Sequence, residues 1–218
     1  MKVIVFDTET TGLPLGRNPP IEDTSKFPYI IQLSYILYDT DTNALLNLRD
    51  DIINIPNDVI ISKESTNIHG ITRTICNRKG INLDKAIDDF NEQLNIADII
   101  VGHNVAFDKR MILVESIRLN KEQYFTKQEC KKKEFCTMMK CVKLCGIVKT
   151  SIVGEKYYKF PTLSELYTKL FNKIPIGVHD SIVDVLICLR CYMFVNYNVD
   201  VLKIGCNNIK RIYKVFSM

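Results

Sequence analysis

Apolar and polar positions along the chain follow two patterns, and the strand-like pattern comes first. Residues 3–6, 29–38 and 45–53 are short, mostly apolar runs rich in Val, Ile, Leu and Tyr, which predicts three strands. The runs are close enough in sequence to pair as an antiparallel meander. Residues 12–28 hold four prolines and two glycines, so we expect a loop there.

Helical spacing dominates the rest of the chain, with one further strand predicted at residues 97–101. A helix that begins near Asn104, a good N-cap residue, is expected to include Met111, Val114 and Ile117. Strands first, followed by alternating helices and strands, predict an α/β fold in which helices flank a mixed sheet. The other helices are predicted by apolar residues three or four apart: Leu83, Ala86, Ile87, Phe90 and Leu94; Leu163, Leu166 and Leu170; Ile182, Val185, Leu186 and Leu189.

Composition is that of an ordinary globular chain and excludes several classes. Of the 218 residues, 46% are hydrophobic and 25% are charged, which suits one domain with a real core. No run approaches the roughly 18 apolar residues of a membrane span, and Asp7 and Glu9 come too early for a signal peptide. We therefore expect an intracellular, cytoplasmic protein. Its eight cysteines, including the Cys188-x-x-Cys191 pair, are expected to be reduced thiols.

Charge is divided unevenly between the two halves of the chain. Residues 1–100 hold 9 Lys and Arg against 15 Asp and Glu, whereas residues 101–218 hold 20 against 10. The first half is therefore acidic and the second basic. This division is consistent with a polyanionic partner and a separate carboxylate cluster, and equally with a simple drift of surface charge.

Three short acidic segments carry the candidate chemistry. In Asp7-Thr8-Glu9 the two carboxylates end the first strand on one face, which suits hard ions such as Mg²⁺ or Mn²⁺. Asp108 and Asp184 are each expected in the first turn of a helix, and His179 in the loop before the second of these helices. Singly, the segments are also explained as a strand-end turn, a helix-dipole acid and a capped helix. Together they place acids where sites on open sheets collect.

The order and spacing of these segments resemble the motifs of the DEDDh, or DnaQ-like, 3′–5′ exonucleases. The resemblance covers about residues 1–195 and implies a ribonuclease-H-like domain there, with its first three strands antiparallel and later ones parallel. We expect residues 196–218 to be an extension packed on the same domain. The insertion at 14–28 and the Cys-Thr pair at 136–137, where many members have Asp-Thr, depart from the family and bear on substrate choice. The matching segments are Asp7-Thr8-Glu9-Thr10-Thr11-Gly12-Leu13, His103-Asn104-x-x-Phe107-Asp108 and His179-Asp180-x-x-x-Asp184, with Ile68-His69-Gly70-Ile71-Thr72 and Thr162-Leu163-x-x-Leu166-Tyr167 as further signatures.

The resemblance implies a catalytic site with two metal ions. Asp7, Glu9 and Asp184 are implied to hold one divalent ion, Mg²⁺ or Mn²⁺, while Asp7 and Asp108 help to position a second. His179 is implied to be the general base, because a neutral imidazole accepts a proton near neutral pH. A tyrosine in this place would mark the other branch of the DEDD exonucleases.

Residues beside the metal-binding positions are expected to bind the end of the substrate. Leu13 and Phe107 are expected to wedge and stack the terminal bases, and His69 to contact the terminal nucleotide. Phe107 also suits an ordinary core position. The resemblance extends the substrate-binding set to Thr8, Thr10, Gly12, His103 and Asn104. Lys127, Lys131, Lys132 and Lys133 are candidates for following the phosphate backbone, although a lysine run is also typical of a solvated loop.

These features predict a metal-dependent exonuclease that releases nucleoside monophosphates from 3′ ends, with single-stranded DNA as the first choice of substrate. An RNA-trimming exoribonuclease is the alternative, because the motifs do not read the 2′-hydroxyl. A nucleic-acid-binding module without catalysis is a third interpretation, which the complete carboxylate set opposes. The chain contains no polymerase motif, so a proofreading or DNA-repair role would require a polymerase acting in trans.

Overall fold

The structure, a computed structural model, describes residues 1–122, 124–125, 132–204 and 207–215. The strands are β1 (Lys2–Thr10), β2 (Ile30–Asp39), β3 (Ala44–Ile52), β4 (Ile99–Gly102), β5 (Lys133–Cys136), β6 (Val148–Thr150) and β7 (Lys156–Tyr158). The helices are α1 (Lys63–His69), α2 (Arg73–Lys79), α3 (Leu83–Ile96), α4 (Val105–Arg118), α5 (Thr137–Lys140), α6 (Val142–Cys145), α7 (Leu163–Phe171), α8 (Ser181–Tyr197), α9 (Val201–Ile204) and α10 (Asn207–Val215).

A mixed sheet with the strand order β3-β2-β1-β4-β5 forms the centre of the molecule. The first three strands pair antiparallel, and β4 and β5 run parallel to β1. The carboxyl ends of β1, β4 and β5 therefore meet at one edge, the usual place for a site in a sheet of this kind. The strands β6 and β7 form a separate antiparallel hairpin.

The sheet separates two apolar cores, because successive side chains of β1 point to opposite faces. Ile4 and Phe6 pack with α3 and α4 on one face, whereas Val3 and Val5 pack with α7 and α8 on the other. Helix α8 is apolar almost all round, as expected for a helix covered on several sides. These two layers fix the positions from which acidic side chains can reach the carboxyl edge.

The predicted fold class is confirmed: the antiparallel meander, the parallel strand β4 and the flanking helices are all present. The predicted helix after Asn104 begins at Val105, but Asn104 adopts a left-handed backbone, with φ at 68°, and makes no side-chain cap. The predicted loop at 12–28 contains one 3₁₀ turn, Thr24–Lys26. The apolar pattern did not predict the helices α1, α2, α5, α6, α9 and α10, the strand β5 or the β6–β7 hairpin, all of which are short.

The chain after α8 packs on the second core. Ile209 and Tyr213 of α10 are fully buried there, and the Tyr213 hydroxyl donates a hydrogen bond to the Leu186 carbonyl. Arg190 of α8 donates to both carboxylate oxygens of Asp200, at 2.9 and 2.8 Å. Across the described ranges, no helix combines the length and apolar character needed to cross a bilayer.

Candidate active site

The end of β1 supplies two of the site's carboxylates. Asp7 pairs with Ser34 and Glu9 with Gln32 in the antiparallel register, so both acidic side chains point to the α8 face of the sheet. The alternation that predicted a shared face is therefore present. The backbone carbonyl of Asp7 accepts a hydrogen bond from the Ser181 hydroxyl at 2.8 Å, which ties the start of α8 to this strand.

Asp184, in the first turn of α8, completes a three-carboxylate cluster. Ligand oxygens of Asp7, Glu9 and Asp184 lie within 4.8 Å of one another, close enough to share one metal ion. The Asp184 Oδ1 atom is buried and has no hydrogen-bond partner among the described residues. A buried, unpaired carboxylate oxygen beside two other carboxylates is unfavourable unless a cation joins them. These residues therefore fit a hard divalent ion, whose preferred ligands are carboxylate oxygens.

Asp108 reaches the same edge from the opposite face of the sheet. It lies in the first turn of α4, and its Oδ1 atom accepts hydrogen bonds from the Thr8 backbone N–H at 3.0 Å and the Thr8 hydroxyl at 2.8 Å. The Thr8 side chain points away from the face that carries Asp7 and Glu9. The four carboxylates thus approach the end of β1 from both layers of helices.

Burial and mutual repulsion raise the pKa of every carboxylate in the group. Burial is the largest cause for Asp7, whose pKa lies well above its ordinary value, followed by the charges of Asp108, Asp184 and Glu9. Burial and the charges of Asp184 and Asp108 raise the pKa of Glu9 to about 8. Burial raises the pKa of Asp108 and of Asp184 to about 7, against the hydrogen bonds from Thr8 and from the His179 backbone. Without a cation, the cluster holds protons near neutral pH.

A polar network fixes the start of α8. The Gln32 amide donates to Asp180 Oδ1 at 3.0 Å and to Asp50 Oδ1 at 2.8 Å, and its carbonyl oxygen accepts from the Ser181 backbone N–H. Asp180 occupies the N-cap position of α8, and its carboxylate accepts the hydrogen bond from Gln32. The meander β2–β3 therefore helps to position Asp184.

His179 lies at the exposed rim of the cluster, in the loop before α8. Its backbone has a positive φ of 71°, a conformation that is uncommon for a residue with a side chain. The backbone N–H donates to Asp184 Oδ2 at 3.1 Å, which keeps the residue beside the carboxylate cluster. The predicted general base is thus next to the predicted metal ligands.

A cavity of about 510 Å³ adjoins the cluster and gathers most of the predicted substrate-binding residues. Leu13 projects into solvent beside it, 77% exposed, and Phe107 is half-buried on its wall. The start of α1 closes one side with its N-cap Ser62 and with Glu64 and Ser65, none of which belongs to a recognised motif. The predicted residues that line the cavity are Thr8, Glu9, Thr10, Gly12, Leu13, His69 and Phe107.

His69 lies in the wall of this cavity. Its Nδ1 atom accepts from the Ile71 backbone N–H at 2.9 Å, so in the neutral ring the proton is on Nε2. Nε2 is buried as well. Burial lowers the pKa of His69, a hydrogen bond with the Thr10 backbone raises it in part, and the neighbouring His179 lowers it further. The contacts with Ile71 and Thr10 fix the imidazole in the wall of the cavity.

His103 and Asn104 lie outside this cavity. Both ring nitrogens of His103 have protein partners: Nδ1 is 2.9 Å from the Thr137 hydroxyl, and Nε2 is 3.0 Å from the Pro161 carbonyl. Burial lowers the pKa of His103 to about 4, so the ring is neutral. In this arrangement the histidine links the end of β4 to the start of α5 and to the segment before α7. Asn104 is exposed at the start of α4.

The predicted lysine track is described only in part. Lys127 and Lys131 lie outside the described residues. The Lys132 ammonium donates to the Asn95 carbonyl at 3.0 Å, and Lys133 is exposed at the start of β5. The cysteines among the described residues, including Cys188 and Cys191, are free thiols as expected.

The sheet order and the layered helices define a ribonuclease-H-like α/β protein. The four carboxylates that meet at one edge of its sheet are typical of a nuclease. The sequence profile of the family described as Exonuclease matches residues 4–192. The chain therefore belongs to the DEDDh, or DnaQ-like, exonuclease family, as the motifs indicated, and membership implies divalent metal ions. No curated protein matches the chain in sequence.

Solved structures with a similar fold include exonuclease I enzymes. Escherichia coli exonuclease I in complex with a dT13 oligonucleotide is 17% identical, with a TM-score of 0.67 over 93% of this chain and 42% of that one. A moderately thermophilic exonuclease I from Methylocaldum szegediense is also 17% identical, with a TM-score of 0.65 over 93% of this chain and 42% of that one. The chain thus spans less than half the length of these neighbours, and the likeness concerns the fold.

Proposed function

We propose that this nuclease is a metal-dependent 3′–5′ exonuclease that hydrolyses the terminal phosphodiester of single-stranded DNA and releases nucleoside monophosphates. The observation that carries the proposal is the convergence of Asp7, Glu9 and Asp184 within 4.8 Å at the carboxyl edge of the sheet. Repulsion among buried carboxylates is relieved when a cation binds, so this part of the structure is suited to ions and to the phosphates they attract.

Asp7, Glu9 and Asp184 would hold one Mg²⁺ or Mn²⁺ ion, and Asp108 with Asp7 would help to hold a second. Two such ions activate the attacking water and stabilise the leaving oxygen of an in-line displacement. The hydrogen bonds from Thr8 occupy Oδ1 of Asp108, so that residue would offer its other oxygen. The protein's own contribution is to fix these oxygens on one strand and two helix starts.

His179 would take the proton from the attacking water. It is exposed at the rim, and its backbone bond to Asp184 Oδ2 keeps the imidazole near the cluster. A neutral imidazole serves as a base near neutral pH.

Replacing this base tests its role directly. We expect His179→Ala to lower kcat by about 10²–10⁴. Mn²⁺ affinity, measured by calorimetry, should stay close to that of the wild type because the carboxylates remain. An unchanged kcat would exclude His179 as the base, whereas a large loss of Mn²⁺ affinity would give it a structural role instead.

The cavity beside the cluster would receive the terminal nucleotide. Leu13 and Phe107 offer apolar surface on which a base can stack, and His69 lies in the wall of the same cavity as a contact for the terminal nucleotide. None of these contacts depends on base identity, which suits an enzyme that degrades any sequence.

The direct test uses oligonucleotides labelled at one end. A 5′ label should give a ladder of shortened products with Mg²⁺ or Mn²⁺, while a 3′ label should be released at once as a mononucleotide. Parallel reactions with duplex DNA and with RNA establish the preferred substrate and include the exoribonuclease alternative. Degradation that continues in EDTA would contradict the role of the ions, and a ladder from the 3′ label would contradict the polarity.

A further inference from the structure

The β6–β7 hairpin, residues 147–160, is a two-stranded antiparallel sheet separate from the central one. Its two ends are held together by a hydrogen bond from the Lys159 N–H to the Ile147 carbonyl at 3.0 Å. Pro161, two residues after Lys159, accepts a hydrogen bond from His103 Nε2. His103 lies two positions beyond Val101, and Val101 pairs with Val5, two positions before Asp7. The base of the hairpin is thus anchored level with the catalytic end of β1.

Neither face of this hairpin is covered by the rest of the protein. Every residue of β6 and β7 is exposed. Cross-strand pairing places Lys149 opposite Tyr157 on one face, and Val148 opposite Tyr158 on the other, where Lys156 also lies. Tyr157 and Tyr158 are 49% and 56% exposed. Each face therefore presents a tyrosine ring together with a lysine.

Hydrogen bonds at the tip of the hairpin and an ion pair at its base hold it in place, since burial does not. At its tip the Gly154 N–H donates to the Ser151 carbonyl at 3.0 Å, and the Ser151 N–H to the Glu155 carbonyl at 2.8 Å. At its base Lys159 forms an ion pair with Glu165 of α7 at 2.6 Å. An isolated two-stranded hairpin is only marginally stable in water, so these anchors maintain an exposed platform.

The surface around the hairpin is positively charged. Residues 137–160 contain five lysines and a single acidic residue, Glu155. Lys140, Lys143, Lys149 and Lys156 are exposed, and none of the four has an ion-pair partner in the described part of the chain. Unpaired lysines between exposed aromatic rings are typical of surfaces that bind single-stranded nucleic acid, because rings stack on bases and ammonium groups neutralise phosphates.

We propose that the β6–β7 hairpin binds the single-stranded stretch of nucleic acid that leads to the cleaved end, by stacking of Tyr157 and Tyr158 and phosphate contacts of Lys149 and Lys156. This rests on the proposed function, since it assigns the strand upstream of the terminal nucleotide to that hairpin. The hairpin then sets affinity for long substrates, while the carboxylate cluster and its cavity act on the terminal nucleotide alone.

The test compares substrates that do and do not extend to the hairpin. Tyr157→Ala/Tyr158→Ala should hydrolyse the p-nitrophenyl ester of thymidine 5′-monophosphate at the wild-type rate, because that ester occupies only the terminal site. For oligothymidylates of about ten residues or more, KM should rise by about 10- to 100-fold with kcat unchanged. The Lys149→Ala/Lys156→Ala variant should lower the slope of log Kd against log salt by about 1.4, the value for two phosphate contacts on a single strand.

Matched controls come from the far end of α8. Tyr197 is 41% exposed and lies thirteen residues after Asp184, about 20 Å along the helix axis. Tyr197→Ala/Lys203→Ala therefore removes one exposed ring and one exposed ammonium far from the site. Its KM and salt slope should equal those of the wild type.

Binding is measured separately from hydrolysis so that two failures can be told apart. Fluorescence anisotropy of a labelled oligothymidylate, in the Asp184→Asn background that prevents degradation, should show the same loss in the hairpin variants. If the wild type hydrolyses no phosphodiester, the proposed function fails and the anisotropy still decides the role of the hairpin. If the hairpin variants bind and degrade long strands like the wild type, the proposal is overturned.

Discussion

Helix α8 holds two charged groups, one half-buried and one buried, that the protein treats in opposite ways. Asp184, in the first turn, faces three other acids and keeps one buried oxygen without a partner among the described residues. Arg190, six residues later, donates to both oxygens of Asp200 and to the Tyr167 hydroxyl and stacks on the Phe171 ring at 3.9 Å. Only about 9 Å of helix axis separates the two.

This difference in partners shows which of the two charges is structural. Arg190 makes its hydrogen bonds to groups of the protein, so it contributes to folding and is not available to bind a ligand. The Asp184 cluster is an open arrangement that lacks positive charge, so it destabilises the free protein and attracts cations. The presence or absence of a countercharge, rather than burial, distinguishes the structural charge from the charge that can bind a cation.

The largest expected effect comes from removing one cluster carboxylate. Asp184→Asn keeps the shape of the side chain but weakens the metal site, and we expect nuclease activity to fall roughly 10⁴-fold or more. End-labelled oligonucleotides with Mg²⁺ measure the loss. Asp200→Asn is the matched control on the other buried group, and its folded fraction should keep wild-type activity. Comparable activity of Asp184→Asn and Asp200→Asn would show that the two charged groups of α8 do not differ in function.

The second effect concerns stability, and here Asp200→Asn rather than Asp184→Asn is expected to cause the larger loss. Asp200→Asn leaves Arg190 buried without its countercharge, so the free energy of unfolding should fall by about 3 kcal/mol in urea titrations. Burial opposes ionisation of Asp200, but hydrogen bonds from Arg190 keep the pKa of Asp200 below its ordinary value, which shows that the pair is favourable as built. The double replacement Arg190→Met/Asp200→Leu should recover most of the loss. A single variant as stable as the wild type would show that the pair contributes nothing.

The smallest effect is a pH dependence of the metal-free protein. The raised pKa values mean that the folded cluster binds protons which the unfolded chain has released above about pH 4.5. The stability from this protonation is complete below that pH and is lost as the pH rises toward 8. Each extra bound proton corresponds to a loss of about 2.7 kcal/mol between pH 5 and 7.

Urea titrations in EDTA across this pH range measure the loss. Mg²⁺ or Mn²⁺ should restore stability at pH 7 and above, and Asp184→Asn should flatten the pH profile because it removes one of the coupled groups. A metal-free protein that becomes more stable between pH 5 and 7 would contradict the sign of these shifts.

Elements with a strong apolar pattern could be predicted from the sequence. The runs that became β1, β2 and β4, and the periodic residues of α3, α7 and α8, identify themselves because their side chains enter one of the two cores. The strand-end position of Asp7 and Glu9, with Asp184 in a first helical turn, follows from the same patterns. Helix α10 was left unplaced, although Ile209 and Tyr213, four apart and fully buried, carry a helical signal.

Features that depend on contact rather than pattern could not be predicted. The β6–β7 hairpin has no covered face, so no alternation of polar and apolar residues marks it. The approach of Asp108 from the opposite face depends on the Thr8 hydroxyl, which is one common polar group among many in the sequence. The engagement of both His103 nitrogens depends on Thr137 and Pro161, which are distant in sequence.

The hydrogen bond from the Ser181 hydroxyl to the Asp7 carbonyl spans 174 residues of chain. Together with the Gln32 bonds to Asp180 and Asp50, it means that the position of Asp184 is defined only after β1, β2, β3 and α8 have come together. During synthesis on the ribosome, α8 emerges long after the strands it docks on. The catalytic site is therefore assembled late. A nascent chain that has emerged only as far as β5 contains three of the four acids and lacks the fourth, so its site is incomplete.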